Sequence, residues 1–281
     1  MVGGRDLAGR VRRLYIPLAV FVVLMLFPFY CMLITSIKPN RELYSQKVMP
    51  LLVYQPTLKH YVDLLTETNF LTWTYNTMLV AVVTTVVSVV LGTMIAYPLA
   101  RMRFPGSAVV AIGVAATYLV PQPLLFIPMS DIINRLELGN TLSAVMLTYP
   151  TLLIPFCAWL LMGYFKSVPR ELEEAARIDG ASRFQAMTRI VLPLCTPGLL
   201  SAAIFSFTLA QNEFLYALIF LAKSEVRTVP IGVVTELIRG DVFYWGQLMA
   251  GALLGSVPVA IIYSFFVDYY VAGLTAGSVK T

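Results

Sequence analysis

The sequence predicts an all-α protein that crosses a membrane six times, and three observations carry that expectation. Only 12% of its 281 residues are charged and 58% are hydrophobic, with a mean hydropathy of +0.79. A soluble domain carries about 25% charged residues, so this chain has too little charge to cover a watery surface; lipid removes the requirement. The apolar residues gather in long runs with almost no charge. Between the fourth and fifth runs sits a dense polar island, 166–193, whose composition suits water.

Each element follows in turn. Arg5, Arg10, Arg12 and Arg13 precede the first run, and residues 14–37 carry no charge. About 20 apolar residues make one crossing. The run is too long for a signal-peptide core and reads as a retained helix, with Pro17 in its first turn and Pro28 set to kink it. Residues 38–70 are too polar to span. They read as an outer loop with a short helix near Lys59–Leu65, while Tyr61 and Trp73 fit the aromatic band at the interface. The second span is expected at about 75–100. Its Val and Thr would favour strand in water, but a charge-free run of this length argues for a membrane helix.

Arg101 and Arg103 mark a short basic turn. A third span is expected at about 107–130, where Pro121, Pro123 and Pro128 either kink the helix or open it toward a pathway. Asp131–Asn140 reads as a second outer loop, and 141–165 as the fourth span. The fifth is expected at about 198–221, a third outer loop at 222–241, and the sixth span at 242–267 with a tail 268–281. Six spans put both termini on one side. Twelve basic residues fall in the N-terminus, the Arg101/Arg103 turn, the island and the tail, against eight in the opposite loops. That bias places the termini (1–13 and 268–281) and the island in the cytoplasm.

Composition also narrows function. Positive charge, +5 in all, is scattered over short loops and does not suggest nucleic acid. Cys31, Cys157 and Cys195 lack metal-like spacing and read as packing residues, and His60 is the only histidine, which argues against a His-based metal site or triad. No G-x-x-x-x-G-K-[ST] phosphate loop occurs, so the chain carries no ATP chemistry of its own.

The island reads as two short helices. Pro169 suits the first helical position, and Glu171, Glu173 and Glu174 fall near a helix N-terminus, where the dipole favours acid. Leu172, Ala175 and Ala176 share a face of low relief. Gly180 permits a sharp turn, and Ser182 with Gln185 forms a capping box for a second helix lined on one side by Phe184, Met187, Thr188 and Val191. Pro193 and Pro197 break the path to the fifth span. Such a segment could lie on the membrane surface or dock a soluble partner.

Three pieces of the island, Glu174-Ala175-Ala176, Asp179-Gly180-Ala181 and Ile190-Val191-Leu192-Pro193, resemble the EAA signature of permease subunits in binding-protein-dependent ABC importers. The wider pattern is similar to the MalG-like branch of the carbohydrate permeases. It includes Thr35-Ser36-Ile37-Lys38-Pro39, Ala96-Tyr97-Pro98-Leu99-Ala100-Arg101, Asn212-Glu213-Phe214 and the tail Ala272–Lys280. The resemblance implies the type I importer permease fold. It also implies that Glu174, Ala175, Ala176, Asp179, Gly180, Phe184, Leu192 and Pro193 form a joint with the ATPase, and that Thr275, Gly277 and Lys280 reach toward it. The implied partners are a second, MalF-like permease, two ATPase subunits that use ATP and Mg, an extracytoplasmic solute-binding protein, and a carbohydrate. The location implied is a bacterial or archaeal inner membrane. Many relatives carry Trp where this chain has Gln211.

Glu213 is the one acid deep in an expected span. With Gln211 and Asn212 it either lines a pathway or makes a structural hydrogen bond. A secondary transporter would need more spans or visible repeats, and a membrane enzyme a polar constellation. Both fit less well than an importer permease for an oligosaccharide, a polyol or a glycerol-phosphate-type solute.

Overall fold

The computed structural model describes Gly9 and residues 11–45, 49–240 and 242–275. Its elements are almost entirely helical: α1 (Ile16–Ile37), α2 (Asn40–Leu43), α3 (Lys59–Glu67), α4 (Phe70–Arg101), α5 (Ser107–Tyr118), α6 (Gln122–Arg135), α7 (Leu142–Thr148), α8 (Pro150–Ser167), α9 (Arg170–Ile178), α10 (Arg183–Ala186), α11 (Leu192–Leu194), α12 (Thr196–Gln211), α13 (Leu215–Phe220), α14 (Val229–Leu237) and α15 (Trp245–Thr275). A π-helical turn, Met187–Val191, joins α10 to α11. A two-residue antiparallel ladder pairs β1 (Ile238–Arg239) with β2 (Val242–Phe243).

Among the described residues four helical stretches are long and apolar enough to cross a membrane, and six if each of two bent pairs is one span. The chain is thus an all-α multi-pass membrane protein. The bends depart from the straight spans read in the sequence. In place of 107–130 stand α5 and α6, which meet at 95°. The break falls at Pro121, whose extended backbone starts α6, and Pro123 lacks the N–H that would continue a helix through the corner. α6 then runs through Pro128 to Arg135, so the outer loop expected from Asp131 is in fact half helix. The second bent pair is Arg183–Leu194 with α12, at 77°. In place of 198–221, α12 starts at Thr196 and stops at Gln211, and α13 restarts at Leu215, leaving Asn212, Glu213 and Phe214 between them. The loop expected at 222–241 holds α14 and the β ladder. Pro169, expected inside α9, sits one residue before it as the N-cap.

The fold divides into two units. One draws on residues up to Phe70 and on Val233–Ser256. In it the Ser36 hydroxyl bonds that of Tyr61 at 2.8 Å. Lys38 donates to the carbonyls of Met49 and Pro50, and its own carbonyl pairs with the ring of buried His60 at 2.8 Å. Gly246 packs directly on that ring. The single histidine is therefore a satisfied packing residue, and among the described residues no group of His, Cys, Asp and Glu could hold a metal ion.

The second unit takes Leu71–Gly232 and the chain from Val257 on. Trp73 belongs to it and is 0% exposed, with its indole N–H on the Ser224 carbonyl at 2.8 Å and Gly232 against its ring. The interface-band reading of Trp73 is therefore corrected: a tryptophan with a buried hydrogen-bond acceptor gains more from the core than from the headgroup layer. Asn76 and Thr77, one turn on, hold the backbone of Glu225, Arg227 and Val229. One core cluster gathers around Tyr149, Phe207, Tyr216 and Ile231, a second around Tyr97, Leu161, Phe165 and Val191. Cys157 and Cys195 are buried in the second, as packing residues.

Candidate functional site: a capped elbow and a polar cavity

The island folds as two helices with no slack between them. At the end of α9 the Ala181 N–H bonds the Ala176 carbonyl and the Gly180 N–H bonds that of Arg177. Gly180 stands at φ +92°. This is the paired 6→1 and 5→2 closure that needs a left-handed residue, which glycine adopts without a Cβ penalty. Ser182 then opens α10 at once, with both bonds of the capping box made to Gln185. The N–H groups of Asp179, Gly180, Ala181 and Ser182 are all bonded, so the elbow angle is set locally.

The surface of this elbow is unusual for a polar segment. Ile178 is 86% exposed and Phe184 69%, one on each side of Gly180, with Leu172 also exposed. Phe184 stands out of the protein, whereas Val191, expected on the same side of the helix, is buried in the core. The π turn between them rotates the helix face. Glu174, Ala175, Asp179 and Pro193 are exposed, and Ala176 and Leu192 are half-buried. Thr275 ends α15, while Gly277 and Lys280 lie outside the described residues.

Glu173, which sequence reasoning passed over in favour of its neighbour Glu174, turns inward. Its carboxylate accepts the Tyr97 hydroxyl at 2.6 Å and lies 3.6 Å from the Arg101 guanidinium. Arg101 also donates to the Val168 carbonyl at 2.8 Å. The i, i+4 spacing of Tyr97 and Arg101 puts both on one face of α4, and that spacing was the signal in the sequence. α9 is clamped to the end of α4.

The other polar group lies at the break between α12 and α13. Glu213 is 8% exposed, and its carboxylate accepts the N–H groups of Tyr216 and Ala217 at 2.9 and 3.1 Å. It therefore caps α13, meeting donors that helix starts leave open. Removing it with Glu213→Ala should cost about 1–2 kcal/mol, read as a lowered melting temperature, and Glu213→Gln, with one acceptor oxygen in place of two, should recover only part of the loss. Asn212 donates to the Thr208 carbonyl at 2.8 Å, and Gln211 is buried at the end of α12. Asn212 and Glu213, but not Gln211, line a cavity of about 630 Å³ shared with Tyr118, Gln122, Tyr149 and Thr208.

A bent-helix membrane bundle, an exposed apolar elbow on a polar segment and a polar-lined cavity beside a helix break are parts that suit a membrane transport subunit. Residues 88–275 match the family described as the binding-protein-dependent transport system inner membrane component, and the chain belongs to that family. It is 38% identical over 268 residues to the inner membrane ABC transporter permease protein YcjP of Escherichia coli, covering 95% of each chain. It is 34% identical to the trehalose/maltose transport system permease protein MalG of Thermococcus litoralis, over 92% of each. In structure it resembles a chain of a bacterial ABC transporter that imports the acidic polysaccharide alginate, with a TM-score of 0.76 at 22% identity, over 96% of this chain and 99% of that one. The chain is thus a permease subunit of an ABC importer of that family.

Proposed function

We propose that 166–193 is the joint through which this subunit meets its ATPase, and that the cavity beside 212–214 is part of the solute pathway. The observation that carries the first is the exposed pair Ile178 and Phe184 flanking the rigid Gly180 elbow. Large apolar side chains on a water-facing segment mark an interaction surface. Glu174, Ala175, Ala176, Asp179 and Gly180 supply its low-relief, acidic rim, and Leu192 and Pro193 join it to the fifth span. In the full machine a MalF-like permease completes the pathway, two ATPase subunits use ATP and Mg, and an extracytoplasmic binding protein delivers the carbohydrate. The basic-residue bias supports cytoplasmic termini, with Thr275, Gly277 and Lys280 directed toward the ATPase. ATP-driven closure of the ATPase pair moves the joint, and the joint moves the spans.

The test is pull-down of the ATPase with the tagged permease pair from detergent. Phe184→Ala should weaken ATPase binding about thirty-fold, the size of a buried aromatic anchor. Ile178→Asp and Glu174→Arg should act in the same direction while the permease stays in the membrane. If ATPase recovery and solute-stimulated hydrolysis match the parent in all three, the apolar pair serves the lipid surface and the docking assignment is wrong.

A further inference from the structure

The wall of the cavity has no cation. Among the residues that line it there is no Lys, Arg or His, and the one charged side chain is the Glu213 carboxylate. The hydroxyls of Thr117 and Thr208 each donate to a carbonyl one turn back in their own helices, at 2.7 and 2.8 Å, and that of Thr151 donates to the Thr148 carbonyl at the end of α7, at 2.6 Å. Each hydroxyl has a single proton, so what these three offer a solute is oxygen lone pairs.

Two helix starts border the cavity and could in principle attract an anion. Neither has its full set of donors open. At α13 the N–H groups of Tyr216 and Ala217 are held by Glu213. At α6 the second residue is Pro123, which has no N–H, and the Leu124 N–H is bonded to the Pro121 carbonyl at 3.0 Å. A carboxylate, sulfonate or phosphate accepts hydrogen bonds and cannot donate them when ionised. In this cavity the amides and tyrosine hydroxyls could donate to it, but it would meet a like charge at Glu213 and no cation, with its own charge left unpaired. A sugar hydroxyl is matched instead: it donates to the threonine oxygens and accepts from the amides of Gln122 and Asn212. The rings of Tyr118, Tyr149 and Phe214 supply flat apolar faces for the C–H side of a pyranose. The volume of about 630 Å³ falls inside the range of small-molecule sites.

We propose that this cavity takes a neutral, polyhydroxylated solute and rejects anionic ones, so that sugar acids, sulfonated sugars and sugar or glycerol phosphates are poor substrates at this subunit. The inference rests on the cavity being part of the pathway. It is tested by cysteine protection in the whole importer, assembled with its partner permease and ATPase. Asn212→Cys is introduced in a Cys31→Ser background; Cys157 and Cys195 are buried. Gln122→Cys, elsewhere in the lining, repeats the measurement should the first variant not assemble. A small water-soluble maleimide should label the new thiol. Maltose or trehalose should slow the labelling, and a disaccharide with one glucose replaced by glucuronate should do so about ten-fold less effectively, as befits an unpaired charge. Equal or better protection by the glucuronate overturns the neutral-solute assignment and leaves the pathway standing. A thiol that no maleimide reaches, or that none of the sugars protects, removes the pathway reading itself and the inference with it.

Discussion

Replacing Glu173 with alanine should lower stability by about 3 kcal/mol, because it strands a buried cation. The Arg101 side chain is 3% exposed, and its one carboxylate partner among the described residues is Glu173. The Tyr97 hydroxyl loses its acceptor in the same step. Arg101→Ala should be milder on charge grounds, since the Glu173 side chain is 15% exposed and can turn toward water. It also removes the bond to the Val168 carbonyl, however, and so frees the start of α9. Tyr97→Phe removes one hydrogen bond to a charged group and should cost about 1.5–3 kcal/mol. Melting of the purified importer in detergent ranks the three. A structural role alone would lower melting and leave the stoichiometry of transport to hydrolysis intact. A clamp that orients the joint should also raise the ATP spent per solute moved, and the exchange Arg101→Glu with Glu173→Arg should recover part of both losses. Should Glu173→Ala melt with the parent, the buried pair is not holding α9.

A side chain at position 92 is expected to be the least tolerated change in the membrane core. A Cβ there would sit 2.6 Å from the Cys157 Cβ and 3.2 Å from the Ala158 backbone nitrogen. Those atoms belong to α8 itself and cannot rotate aside, so α4 and α8 must separate. Overpacking of this kind costs about 1–3 kcal/mol or more. Gly92→Ala should fall in that range, and Gly92→Leu should leave little folded protein in the membrane, read as loss of the monodisperse peak after extraction. Cys157→Gly removes the opposing Cβ and should partly rescue Gly92→Ala. Gly113 is the control: it lies in α5 with nothing within 4 Å of an added Cβ, so Gly113→Ala should be neutral or slightly stabilising. If the Gly92 and Gly113 changes behave alike, close helix approach is not what glycine 92 provides.

Much of the fold was legible because a membrane imposes a simple rule. Long runs without charge mark helices, and the turn at Gly180 and the capping box at Ser182 and Gln185 are local chemistry that a few residues specify. What was not legible depends on partners distant in sequence. Trp73 looks like an interface anchor until the Ser224 carbonyl is seen to meet it across 151 residues. Glu173 and Glu174 are adjacent and chemically alike, and only the position of α4 decides which one turns inward. The prolines at 121 and 123 announced a break without its angle, since 95° is set by what the two halves pack against. α14 was hidden because its nine residues are too few to span and lie in a segment read as loop. Glu213 was visible as a charge in an apolar run; that it caps a helix could not be known before the break beside it was.

The length of α4 has a mechanical meaning. From Trp73 to Arg101 it covers about 42 Å at 1.5 Å per residue, more than the roughly 30 Å of hydrocarbon. One end is bolted to the elbow through Tyr97, Arg101 and Glu173. The other grips residues 224–229 through Trp73, Asn76 and Thr77. It is a connecting rod with a fixed bearing at each end. A tilt of about 5° imposed at the elbow would swing the far bearing by nearly 4 Å over that length. If the elbow is where ATP-driven motion enters, the loop on the opposite face is geared to feel it without any relay of side chains through the middle of the membrane.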